Sequence, residues 1–253
     1  MAKPVKLTFL TTDDPIYLPS FYDRVLARRA PDVVAVYVVP PLYRKQTPAD
    51  AALRYARTFG IGAAGKLAAR VASARLRRRS IASCCARWGV RCEEVTDVNA
   101  PEFMDRLRAE AADILVSVST PQIYKRALME IPRLGILNIH GAILPQYRGV
   151  MPSFWMMANG ERQAGVSIYF VDEGIDSGER VGLRTFEIGP DETLDHFIAR
   201  SKGIAAELLL EVLDGVERGT LERQPLDLEA GSYFSWPDAA SVRRFRAAGR
   251  RSW

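Results

Sequence analysis

Apolar residues fall in short runs separated by longer amphipathic stretches, and this alternation sets the expected fold. Val5–Leu10, Val33–Val39 and Ile114–Val118 are nearly continuous aliphatic runs of strand length, too short to span a membrane. Gly135–Ile139, Val166–Val171 and Val181–Glu187 read as further strands, and Val90–Val95 as a short one. Between them the period becomes helical. Helices are predicted over about Ile16–Arg29, over the Ala- and Arg-rich Asp50–Arg79 with a break near Gly60–Gly65, and over Pro101–Glu110 with proline in its first turn. Shorter ones follow near Tyr124–Glu130 and Ser153–Asn159, and Asp191 and Glu192 favour the start of a long amphipathic helix, Thr193–Val216. Strands alternating with helices predict an α/β fold, a mainly parallel sheet with helices on both faces. Past Thr220 come an aromatic turn, Tyr233–Pro237, and a basic helix, Ala239–Arg250. The expected division is a main domain, 1–220, with a helical insertion at about 42–88, then a short C-terminal extension, 221–253.

Composition changes this picture in two ways. The 253 residues suit one large domain with a short appendage, and the three cysteines, Cys84, Cys85 and Cys92, lack zinc or disulfide-framework spacing. With no signal peptide or membrane span in the sequence, the expectation is a cytoplasmic protein. The charge, in contrast, is uneven. Leu42–Cys92 carries twelve Lys or Arg against one acid, Asp50, while the whole chain is only +5, so the remainder is net acidic. This basic patch is read as a solvated helical face, as an attractor of an anionic substrate, or as a membrane or nucleic-acid surface. Sparse aromatic residues there weaken the nucleic-acid reading.

Few motifs carry chemistry. Gly60-Ile61-Gly62-Ala63-Ala64-Gly65 spells a dinucleotide fingerprint, yet no strand precedes it and no acid follows at the needed distance, so a helix break is the better reading. Gly65-Lys66 is followed by Leu67, which rules out a P-loop, and GxSxG and HExxH are absent. Of the two histidines, His196 lies inside the long helix and reads as a surface or packing residue. His140 follows an apolar run and opens a turn rich in Gly and Pro, where parallel-sheet enzymes place their chemistry. Asn138, two residues earlier, points to the same side of the strand. An amide donor beside an imidazole suits a developing oxyanion and a proton in transit. Asp176, in a Gly-flanked loop, is the candidate to orient the imidazole, with Asp172 as the runner-up.

These residues, Asn138-Ile139-His140, Leu144-Pro145, Tyr147-Arg148-Gly149, Gly165-Val166-Ser167 and Asp172 to Gly178, resemble the folate-dependent formyltransferases. That superfamily includes methionyl-tRNA formyltransferase, glycinamide ribonucleotide transformylase and the sugar N-formyltransferases. The resemblance runs from about Asp113 to Glu187 and extends more weakly to Val5–Pro19 and Thr193–Val216. It implies a Rossmann-like formyltransferase fold, a 10-formyltetrahydrofolate donor, no metal, and a catalytic trio of Asn138, His140 and Asp176. The folate pocket would map onto Ser119, Thr120, Pro121, Gln122, Ile123, Leu144, Asp172, Glu173, Gly174 and Ile175. Tyr147, Arg148 and Gly149 would face the acceptor. The chain departs from the family at Ala142, commonly Ser, and at Thr120-Pro121, commonly an aromatic-Gly pair.

The implied reaction is direct transfer of the formyl group to an uncharged primary amine, with Asn138 and protonated His140 stabilising the oxyanion. The compact layout resembles the sugar N-formyltransferases, and the 33 residues after Thr220 argue against a tRNA acceptor. Arg148 and the basic insertion would then meet an anionic acceptor, such as a nucleotide-linked amino sugar. The rival readings are a 10-formyltetrahydrofolate hydrolase, a methionyl-tRNA formyltransferase-like enzyme, and a folate- or nucleic-acid-binding protein without turnover. Tyr233–Trp236 and Trp253 either cover the domain's own core, the favoured reading, or form a homodimer interface.

Overall fold

The computed structural model describes residues 4–40 and 48–253, Pro48 by its backbone alone. Arg44 and Lys45 of the basic insertion lie outside the described residues. Helices α1 (Leu18–Arg29), α2 (Pro48–Phe59), α3 (Ile61–Leu76), α4 (Ile81–Arg87), α5 (Pro101–Glu110), α6 (Arg126–Met129), α7 (Pro152–Ala158), α8 (Leu194–Arg218) and α9 (Ala239–Ala247) surround the strands. The strands are β1 (Leu7–Thr12), β2 (Val33–Val39), β3 (Cys92–Glu94), β4 (Ile114–Val118), β5 (Ile136–His140), β6 (Arg148–Gly149), β7 (Gln163–Phe170), β8 (Arg180–Glu187) and β9 (Tyr233–Phe234). Seven form one sheet in the order β3-β2-β1-β4-β5-β7-β8, parallel from β3 to β5, with β7 and β8 antiparallel at the far edge. β6 and β9 make a separate parallel pair.

Side-chain alternation along the strands explains the layers. Leu7 and Phe9 of β1, Ile114 and Val116 of β4, and Leu137 and Ile139 of β5 join a core closed by α1, α4 and α8. Their neighbours in sequence, Leu10, Leu115 and Ile136, face the opposite way and pack with Phe103 and Leu107 of α5 and Leu128 of α6. A third cluster holds Phe154 of α7, Phe197 of α8, Phe245 of α9 and Phe59 at the end of α2. Phe154 meets Phe59 edge-on at 5.6 Å and stacks on Phe245 at 5.1 Å, so this cluster fixes the insertion and the C-terminal segment to the sheet domain. Trp236 reinforces it by donating to Thr58 Oγ1 beneath the Arg54 guanidinium.

Several boundaries differ from the sequence reading. β1 runs on to Thr12, because Thr11 is buried and donates its hydroxyl to the Val118 carbonyl. α1 starts at Leu18, since Asp14 captures the backbone N–H groups of Ile16 and Tyr17 ahead of it. Within the expected break at Gly60–Gly65 only Gly60, at φ +96°, interrupts the helix; α3 runs straight through Gly62 and Gly65, and the next break comes at Arg77–Ser80 before α4. Among the described residues no helix is long and apolar enough to cross a membrane.

Candidate active site

β5 shows Ile136, Asn138 and His140 to one face of the sheet. Ile136 is covered by the α5–α6 layer, while Asn138 and His140 lie beyond it at the carboxyl end of the strand, where open α/β sheets place their ligands. The neighbouring strands match them in register. Asn138 is flanked by Ser117 of β4 and Tyr169 of β7, and His140 by Ser167 of β7.

Asn138 Nδ2 donates to Tyr169 Oη at 2.8 Å, and Tyr169 Oη donates to Asp176 Oδ1 at 2.6 Å. The other oxygen, Oδ2, accepts from the Gly149 N–H at 2.7 Å and lies 3.6 Å from His140 Nδ1. His140 Nε2 is 2.7 Å from the Tyr147 carbonyl. A carbonyl has only lone pairs to offer, so Nε2 carries the proton and Nδ1 is the ring's basic atom. At 3.6 Å the Asp176 contact is not a hydrogen bond, yet it is close enough to stabilise an imidazolium. The ring nitrogen that faces Asp176 is thus the one free to accept a proton.

The loop after β7 is built to hold Asp176. Asp172 Oδ1 accepts from the Gly174 N–H and the Ser177 hydroxyl, so Asp172 caps the turn and does not orient the imidazole. Asp176 sits at φ +50°, a conformation that Asp tolerates better than most residues. At Gly178 a Cβ would fall 1.8 Å from the Phe170 carbonyl oxygen, so the loop can close only with glycine there.

Two cavities meet at this group. The first, about 410 Å³, is lined by Asn138, His140 and Asp176, by Ser119 and Thr120 beyond β4, and by Ile198, Ser201 and Lys202 of α8. The second, about 460 Å³, lies between residues 120–124 and the 171–176 loop. They share Thr120, Pro121, Asn138, Gly149, Val150 and Asp176. Lys202 Nζ donates to Ser119 Oγ at 2.8 Å, and burial pulls its ammonium below the usual lysine range while Asp14 opposes the shift. Among the described residues, no cluster of His, Cys, Asp or Glu is placed to hold a metal ion.

Of the residues expected at a folate pocket, Thr120, Pro121, Gln122, Ile123, Asp172, Glu173, Gly174 and Ile175 line the second cavity and Ser119 the first. Leu144 lines neither: it is 1% exposed, and its carbonyl is taken by Arg180 Nη1. Tyr147 and Arg148 also stay out of both cavities. The Tyr147 ring stacks on Phe234 and its hydroxyl donates to Glu161, while Arg148 is held by backbone pairing of β6 with β9. Gly149 alone of that trio reaches the cavities. Two residues at the site escaped the sequence reading. Tyr169 is a polar-tipped residue inside a buried strand, which was the available signal. Lys202 is a charge set beside buried Ser201 and Ala205 on α8.

A family model described as "Formyl transferase" matches residues 21–213. In sequence the chain is 35% identical over 147 residues to a methionyl-tRNA formyltransferase of Trichlorobacter lovleyi, covering 58% of this chain and 46% of that protein. The chain thus spans about half the length of the curated relatives it matches. In structure it resembles a glycinamide ribonucleotide transformylase of Symbiobacterium toebii (TM-score 0.61, 15% identity, 88% of this chain and 95% of that one). It also resembles an N-formyltransferase of Helicobacter canadensis solved with folinic acid and dTDP-3-aminofucose (TM-score 0.56, 17% identity, 91% and 71%). At these identities the structural likeness speaks for the fold, and the family match over most of the chain for ancestry: this protein belongs to the formyl transferase family.

Proposed function

We propose that the protein transfers a formyl group from 10-formyltetrahydrofolate to the primary amine of a small anionic acceptor, such as a nucleotide-linked amino sugar. The observation that carries this reading is the group Asn138, His140 and Asp176 standing where two cavities meet. The second cavity suits the donor. Ile123 and Ile175, 75% and 48% exposed, offer apolar edges to a flat ring system, and backbone groups of the 171–176 loop supply polar contacts. The first cavity suits the acceptor, with Lys202 as its cation; the ammonium takes the part expected of Arg148.

In this arrangement an uncharged amine in the first cavity attacks the formyl carbon at the junction. The Asn138 amide receives the charge that develops on the formyl oxygen. His140 accepts the amine's proton at Nδ1, Asp176 steadies the imidazolium, and the ring returns the proton to the departing folate nitrogen.

The curated relatives are named methionyl-tRNA formyltransferases, which favours a second reading in which the amine is carried by tRNA. One experiment separates the readings: release of tetrahydrofolate from 10-formyltetrahydrofolate with amino-sugar nucleotides, with methionyl-tRNA, or with no amine, each beside His140→Ala. Release that needs an amino-sugar nucleotide and vanishes in the variant supports the proposal. Release dependent on methionyl-tRNA selects the second reading, and release without amine makes the protein a hydrolase.

A further inference from the structure

We infer that Tyr169 is a positioning residue that fixes which end of the Asn138 carboxamide meets the formyl oxygen. The inference rests on the function proposed above and follows from where the protons must lie. The Asp176 carboxylate has no hydrogen to give. The single hydroxyl proton of Tyr169 therefore goes to Asp176 Oδ1, 2.6 Å away. The phenol oxygen is left with lone pairs only, so the Asn138 atom 2.8 Å from it must be the N–H end. The carboxamide cannot turn over without setting two lone pairs against each other.

One amide hydrogen is spent on Tyr169, and the second is the one available to a ligand in the cavities that Asn138 lines. Turned over, the same side chain would present its own oxygen to the developing oxyanion and repel it. The relay cannot swing away. Asp176 Oδ2 is pinned by the Gly149 N–H, and Tyr169 is 3% exposed in the strand directly beside Asn138. Burial and the Asp176 charge push the Tyr169 phenol well above its ordinary pKa, so it keeps its proton through the working range.

Tyr169→Phe removes the oxygen and keeps the ring. We expect kcat to fall between about tenfold and the roughly 10²–10³-fold of losing the amide donor itself, with KM for both substrates almost unchanged. A residue acting through Asn138 gives no added loss in the double variant: Tyr169→Phe with Asn138→Ala should be no slower than Asn138→Ala alone. Multiplying losses would overturn the inference. A readout independent of turnover is the Asn138 side-chain amide pair in a ¹H–¹⁵N spectrum, assigned by its absence in Asn138→Ala. Its two protons should be strongly inequivalent in the native protein and move towards each other in Tyr169→Phe. Should that variant melt early, Asp176→Asn, which can donate to the phenol and reverse the relay, should shift the same signals. Unchanged signals in the folded variants would overturn the inference even if the formyl-transfer reading stands, and the expected shifts would support it even if that reading fails.

Discussion

Replacing Lys202 with methionine tests whether the first cavity selects an anion. Methionine keeps the length of the stem and removes the charge, and the change lies on α8, whereas Asn138 and His140 belong to β5. In the folded protein the ammonium bonds to one neutral partner, Ser119 Oγ at 2.8 Å, and no carboxylate among the described residues is within ion-pair distance. It therefore has hydrogens free for a ligand. A charge-assisted hydrogen bond to a phosphate or carboxylate contributes about 1.5–3 kcal/mol, which is roughly a ten- to hundredfold rise in acceptor KM when it is lost. The assay is steady-state formyl transfer to an anionic acceptor and to its neutral analogue, with the donor saturating. The variant should lose affinity only for the anionic one, with kcat held. Because burial lowers the Lys202 pKa, acceptor KM in the native protein should begin to rise at a pH below 10.5, the ordinary lysine value, and the variant should lack this limb. An equal loss for both acceptors, or a fall in kcat at constant KM, would refute the assignment.

Asn138→Ala should lower kcat by roughly 10²–10³ in the same assay, with donor binding by fluorescence titration retained. Gly149→Ala forces a side chain into φ +97° with its Cβ 2.2 Å from the Phe234 carbonyl, so β6 should part from β9. The strain alone is of order 1–3 kcal/mol, visible in thermal melts, and activity should fall with it because the Gly149 N–H holds Asp176. Glu217 accepts from both Arg29 terminal nitrogens and from the Val5 N–H, and the Arg29 guanidinium holds its carboxyl below the usual range. A depressed carboxyl stabilises the fold above its unfolded value of 4.5 and loses that contribution as pH falls through the folded value. Glu217→Gln should thus cost about 1.5–3 kcal/mol at neutral pH in denaturant melts, and the gap to native should close in acid.

How far the sequence could be read depended on the range of the interactions involved. β2, β4 and α5 fall on the boundaries expected, because aliphatic runs and a first-turn proline act within a few residues. Asn138 and His140 could be set on one face by strand alternation alone. The β6–β9 pair could not be foreseen: two residues of strand have no period, and their partners are some eighty positions away. That pairing also keeps Tyr147 and Arg148 out of the two cavities. Read as a loop, the Tyr147-Arg148-Gly149 motif offers the Tyr147 and Arg148 side chains to an acceptor; paired with β9, it brings only Gly149 to the cavities. Tyr169 escaped for a similar reason, since its role depends on a cross-strand neighbour and on a loop seven residues on.

These same contacts show where the site is fixed and where it is free to differ. Asn138, Tyr169 and Asp176 are bound to one another and to the β6 backbone, so this group rests on the central strands and on β9, which belongs to the C-terminal segment. The outer walls of the two cavities come from different places. The second cavity is walled by the turns after β4 and β7, the first by α7 and α8. Changing a residue on the outer wall of the first cavity, such as Lys202 or Ile198, leaves every bond of the central group in place. A frame of this kind can change its amine without relearning its chemistry. On the function proposed above, the residues that choose the amine are therefore to be sought on α7 and α8.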